Sequence, residues 1–141
     1  NSFFSTVVLD NDERWNCPRC KGPRRAERTV ALWKLPHVLV VHLKRFSYEM
    51  GGYVKNNMEV QFPLSDLQPG KRQHTKATPD ASRYRLFAVT NHTGSLTSGH
   101  YTSIVRVQDA WMKADDECMS PFAPENISQS GAFILFYERM Q

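Results

Sequence analysis

Gly94-Ser-Leu-Thr-Ser-Gly99-His100-Tyr101-Thr-Ser-Ile-Val-Arg-Val107-Gln108-Asp109-Ala110-Trp-Met-Lys-Ala-Asp115-Asp116 is the stretch that decides the fold. Residues 101–107 are rich in β-branched side chains and predict a strand. Residues 110–114 predict a shorter strand, and Gln108-Asp109 leave room only for a tight reversal. A two-residue loop there pairs positions whose numbers sum to about 217. On that register His100 faces a position near Glu117, and Asp115 lies within cross-strand diagonal reach. One hairpin thus brings an imidazole and a carboxylate together at its open end. Gly99 lets the backbone approach closely, and the small polar loop before it lets the histidine face a cleft. A carboxylate on one ring nitrogen fixes the tautomer and frees the other to take a proton from a nucleophile. The plainer reading is a loop histidine beside a solvated acidic turn. Spacing alone favours it, because this stretch holds no nucleophile.

Composition bounds the remaining possibilities. The 141 residues suit one domain or a large piece of one, and 40% hydrophobic content suits a globular core. No apolar run approaches the roughly 18 residues of a membrane span, which argues against a membrane partner. Asn1-Ser-Phe-Phe has no signal-peptide layout. Arg19, Lys21, Arg24, Arg25 and Arg28 form a basic cluster. Such a cluster could meet nucleic acid, but a net charge of +4 is too modest to argue for it over a solvated face. Three cysteines give no disulfide framework and suit a reducing, intracellular setting, cytoplasmic or nuclear.

Taken in order, residues 3–9 are open between a strand and a helix end. In Trp15-Asn-Cys17-Pro-Arg-Cys20-Lys-Gly-Pro23 the Cys-x-x-Cys pair predicts a zinc knuckle that offers two of four ligands. A redox dithiol is the competing reading, weakened because Gly22-Pro23 interrupt the helix such chemistry uses. Residues 24–33 predict a strand, and Val38-Leu-Val-Val-His-Leu43 predicts a fully buried one, with His42 in its ladder. Residues 49–57 predict a hairpin tip, and the alternation in 58–62 a returning strand. Residues 68–82 read as a mobile insertion. Residues 84–90 predict a strand, 118–131 irregular chain with Ser128 capping at most a short helix, and 132–137 a final buried strand. The expectation is an antiparallel β-rich sheet or partial barrel of six or more strands with little helix.

The motifs carry more than the pattern does. Trp15-Asn-Cys-Pro-Arg-Cys20-Lys, Leu32-Trp-Lys-Leu-Pro36, Val38-Leu-Val-Val-His-Leu-Lys-Arg-Phe46-Ser, Val60-Gln-Phe-Pro-Leu64, Tyr84-Arg-Leu-Phe-Ala-Val, Asn91-His-Thr-Gly94, Ser98-Gly-His-Tyr-Thr102 and Ala132-Phe-Ile-Leu-Phe-Tyr137 occur in this order over nearly the whole chain. Together they resemble the C-terminal half of the catalytic domain of ubiquitin-specific proteases, the papain-like deubiquitinases. The resemblance implies an α+β, β-rich fold with residues 1–34 in a fingers segment and 35–141 in the palm. It implies His100 as the catalytic base, Asp115 as its orienting acid and Asp116 as the neighbour of that acid. Ala114 stands where the family usually has Phe. The resemblance also places Phe46, Tyr48, His92, Gly99 and Tyr101 beside the channel for the ubiquitin tail, and Cys17 and Cys20 as the second thiolate pair of a structural zinc site.

The family's nucleophilic cysteine and its first zinc pair do not match anything in these residues. Cys118 lies three residues past Asp115, at an apolar strand position of the family, and is expected to be a packed thiol. The expected partners are therefore ubiquitin, ubiquitinated proteins and the N-terminal half of the same catalytic domain. Two other classes stay open. One is an inactive ubiquitin-binding scaffold, for which His100 and Asp115 would be superfluous. The other is a basic zinc ribbon on nucleic acid, which would need a second cysteine pair.

Overall fold

The computed structural model describes residues 3–127 and 129–140, so Ser128 lies outside the described residues. The chain divides into two compact units, one drawn from residues 1–35 and 69–81, the other from 36–68 and 82–141.

The first unit is built from very short strands. β1 (Val7–Leu9), β2 (Trp15–Cys17), β3 (Gly22–Arg24) and β4 (Ala26–Arg28) form two separate antiparallel pairs, β1 with β4 and β2 with β3. The strand expected over 24–33 stops at Arg28. Beyond it Leu32 makes only an isolated bridge, donating to Arg72 O and accepting from His74 N. Residues 69–81 belong to this unit, with a 3-10 turn at Pro69–Arg72 and the His74 ring against Trp33 at 5.6 Å.

The second unit contains the site. Its sheet has six antiparallel strands in the order β11–β10–β9–β8–β12–β5. They are β5 (Val38–His42), β8 (Tyr84–Gly94), β9 (Gly99–Val107), β10 (Ala110–Asp115), β11 (Cys118–Pro121) and β12 (Ala132–Arg139). β6 (Phe46–Glu49) and β7 (Gly52–Lys55) make a hairpin of their own, turned by Met50 and Gly51, both in the left-handed region. Tyr84, Leu86, Val89, Ile104, Ala132, Leu135 and Tyr137 are buried in the sheet's core. A bulge at Phe87, where Leu86 pairs with Tyr137 but Ala88 pairs with Phe136, lets Val89 join the even positions of β8 in the core.

Three expectations are corrected here. β5 is an edge strand, not a buried one, with Val38 43% and Val40 53% exposed. A run apolar on both faces suits a central strand, but pairing order decides position. Residues 58–62 form no strand, and the buried Arg45 takes the carbonyl of Met58 at the start of that segment. Its guanidinium donates to Asn56 O and Met58 O at 3.0 and 2.8 Å, and also to Gln129 O and Ala132 O at 2.8 and 2.5 Å. The segment after Asp116, expected to be irregular, begins instead with β11 and holds a 3-10 turn at Pro124–Asn126. Among the described residues helix is confined to 3-10 turns, and none is long and apolar enough to cross a membrane.

Candidate active site

The β9–β10 hairpin turns on Gln108-Asp109, with Ala110 opposite Val107 and Gln108 at φ 55°. The expected register therefore holds. The β9–β10 ladder ends at Ala114 opposite Ser103, so His100 finds its in-register neighbour on the other side, Thr93 of β8. His100 lies beyond the end of that ladder, on the diagonal from Asp115. A second tight turn, Asp116-Glu117, sets Asp115 opposite Cys118 and holds Asp116 at φ 50°.

The geometry is that of an oriented imidazole. His100 Nε2 lies 2.6 Å from Asp115 Oδ1, and the two side chains are 51% and 37% exposed. The hydrogen bond to Asp115, with the charge of Asp116 behind it, holds the imidazole pKa above its ordinary value. In the neutral form Nε2–H donates to the carboxylate, and Nδ1 carries the lone pair. Nδ1 has no hydrogen-bond partner among the described residues. The second oxygen of Asp115 is also engaged: Lys113 Nζ donates to Oδ2 at 2.8 Å. Lys113 first and His100 second hold the Asp115 carboxyl below the usual range. Sequence reasoning passed over Lys113, although strand alternation puts it on the same face of β10 as Asp115.

Gly99 is where β9 touches the interior. The His92 ring lies directly against it: a Cβ at Gly99 would sit 2.2 Å from His92 Nε2. His92, expected at the channel for the ubiquitin tail, turns its ring inward and is 4% exposed. It packs on Phe46, Tyr101 and Phe133 at centroid distances of 5.6, 4.6 and 5.7 Å. Burial lowers its pKa, its Nδ1 is unpartnered, and its carbonyl accepts from Lys55 Nζ at 2.7 Å. Phe46, Gly99 and Tyr101 are thus brought together around His92, with Phe133 as an unforeseen fourth member. Tyr48 is not among them. It stands 65% exposed on the β6–β7 hairpin against Tyr53, at 5.2 Å.

The cysteines divide. Cys118 is exposed, not packed, because β11 is an edge strand exposed along its whole length. It does not join the cluster formed by His100, Asp115 and Asp116, whose candidate ligand atoms lie within 4.8 Å of one another. A cation in that cluster would have to displace the Lys113 ammonium from Asp115, so the arrangement suits proton transfer better than metal binding. Cys17 ends β2, and Cys20 sits in the four-residue turn before β3. The backbone N–H of Cys20, and then that of Arg19, point at the Cys17 sulfur and hold its pKa below the ordinary thiol value. That favours the thiolate a metal requires. Among the described residues no third histidine, cysteine or carboxylate joins the pair.

The family model for ubiquitin carboxyl-terminal hydrolase matches residues 3–137. The chain belongs to the ubiquitin carboxyl-terminal hydrolase family. Ubiquitin carboxyl-terminal hydrolase 8 of Arabidopsis thaliana is 40% identical over 142 residues, covering 99% of this chain and 16% of that protein. Ubiquitin carboxyl-terminal hydrolase 15 of Rattus norvegicus is 39% identical, over 97% of this chain and 14% of its own length. The chain therefore spans about a sixth of the curated relatives it matches. The solved SAGA Ubp8/Sgf11/Sus1/Sgf73 DUB module bound to ubiquitin aldehyde aligns with 99% of this chain and 32% of the matched chain, at TM-score 0.82 and 27% identity. The same module with Ubp8(C146A), bound to monoubiquitin, gives TM-score 0.82 and 28% identity.

Proposed function

We propose that this chain carries the base and orienting acid of a deubiquitinating thiol protease, whose nucleophilic cysteine lies outside these residues. One observation carries the reading. His100 presents Nε2 to Asp115 and leaves Nδ1 open, in a chain of this hydrolase family.

The chemistry is acyl transfer at the isopeptide carbonyl of the ubiquitin C-terminal glycine. His100 Nδ1 takes the thiol proton as the sulfur attacks that carbonyl, giving a tetrahedral oxyanion and an imidazolium held by Asp115. The imidazolium then gives its proton to the departing lysine amine as the C–N bond breaks, leaving a thioester. Water, deprotonated by the same imidazole, attacks the thioester and releases the ubiquitin carboxylate and the thiol. Asp116 adds negative charge near the imidazolium. Phe46, Tyr101 and Gly99 bear on the tail from around the buried His92, and Tyr48 from the β6–β7 hairpin. The partners are ubiquitin, ubiquitinated proteins and the nucleophile-bearing half of the same domain.

Cys17 and Cys20 fit half of a structural zinc site, and a zinc there would fasten this chain to the segment that supplies the other two ligands. The test of the catalytic reading is turnover of a ubiquitin-amide substrate by the full-length protein. His100→Ala lowers it by ~10²-fold or more. Asp115→Ala costs more than Asp115→Asn, since the amide oxygen can still accept from Nε2–H. Near-unchanged turnover in His100→Ala would sink the assignment.

A further inference from the structure

The Asp115 carboxylate serves two donors at once. Oδ1 meets His100 Nε2 at 2.6 Å, and Oδ2 meets Lys113 Nζ at 2.8 Å. The three residues lie at the exposed end of the β9–β10 hairpin, where Lys113 and Asp115 project from the same face of β10. A carboxylate bound to histidine alone favours the charged imidazolium, and Asp116 adds to that pull. A base must spend its resting time neutral, so an unopposed acid would hold the proton too firmly near neutral pH.

We propose that Lys113 is a positioning residue of this pair: its ammonium pins Oδ2, directs Oδ1 at His100, and offsets part of the pull of the two aspartates on the imidazole. The inference rests on the reading of His100 as the base. The charged groups facing His100 are few. β10 and its following turn contribute Lys113, Asp115 and Asp116, and β8 presents the uncharged Thr93 in register with it. β11 sets Cys118 opposite Asp115. Among the described residues Lys113 is the cation that acts on the His100 titration, where it works against Asp115 and Asp116. It does not touch substrate atoms in this scheme and acts through Asp115.

The experiment is a histidine NMR titration of the full-length protein, beside its pH–rate profile on a ubiquitin-amide substrate. The His100 resonance is assigned by its loss in His100→Gln. Lys113→Met keeps the aliphatic stem and removes the charge. Its His100 midpoint moves up, on the order of tenths of a pH unit as befits an exposed pair. The acidic limb of the rate profile moves up with it. Lys113→Arg restores both to near the starting values. Lys113→Gln repeats the measurement should Lys113→Met perturb packing. A midpoint that stays in place or moves down in both neutral variants overturns the proposal. A midpoint that moves while the rate profile does not leaves the electrostatic role of Lys113 standing, and refutes His100 as the base instead.

Discussion

Replacing Gly99 with alanine tests how the interior positions the base. A Cβ there would lie 2.2 Å from His92 Nε2 and 2.7 Å from Thr93 O, where real Cβ contacts essentially never fall below 3.0 Å. The gap to His92 must therefore widen by 0.8 Å or more. His92 has little room to retreat, being 4% exposed and packed on Phe46, Tyr101 and Phe133. β9 moves instead, and His100 is the next residue along it. Adding that displacement to the 2.6 Å contact with Asp115 stretches it to about 3.4 Å, past ordinary hydrogen-bond reach. Overpacking of this kind costs about 1–3 kcal/mol. In a domain of a few hundred residues that lowers Tm by roughly 2–12 °C. A misplacement near 1 Å at the base lowers turnover by ~10²-fold. The assay is calorimetric melting together with ubiquitin-amide hydrolysis by the full-length protein. Adding His92→Ala to Gly99→Ala makes room for the methyl, so the double variant is more stable than the two single effects predict by addition. A Gly99→Ala protein with wild-type melting and wild-type His100 resonances would refute the reasoning.

Two further outcomes follow from groups away from the base. Arg45→Met leaves four backbone carbonyls without their donor, so urea unfolding shows a loss of at least about 3 kcal/mol, with Arg45→Lys losing less; a change below about 1 kcal/mol would mean the fork is dispensable. The proposed zinc half-site predicts that elemental analysis of the full-length protein finds about one zinc, depleted in Cys17→Ser and Cys20→Ser, while zinc retained at full stoichiometry in both would exclude the pair as ligands.

The hairpin was legible because its information is local. A β-branched run, a two-residue reversal and period-2 alternation set the register, and register alone brings Asp115 onto the diagonal from His100. The same alternation puts Lys113 on the face of β10 that carries Asp115, but nothing local shows that its ammonium reaches the carboxylate. Elsewhere local pattern misled. Residues 58–62 alternate like a strand, yet the Arg45 guanidinium claims the carbonyl of Met58, where that strand would begin. Cys118 sits where an apolar residue would pack, yet β11 is the sheet's outer edge and leaves it exposed.

The sequence by itself determined the β-rich class, the family motifs and the pairing of His100 with Asp115, since each motif is a short stretch and the pairing lies within one hairpin. Only the tertiary structure decided that β5 lies at an edge, that Phe133 joins the aromatic cluster, and that His92 points inward beneath Gly99. Those facts depend on which strands become neighbours. β12 lies between β8 and β5, although it follows both by more than 35 residues in the chain. Such pairing is settled by burial of the whole sheet, and no window of sequence contains it.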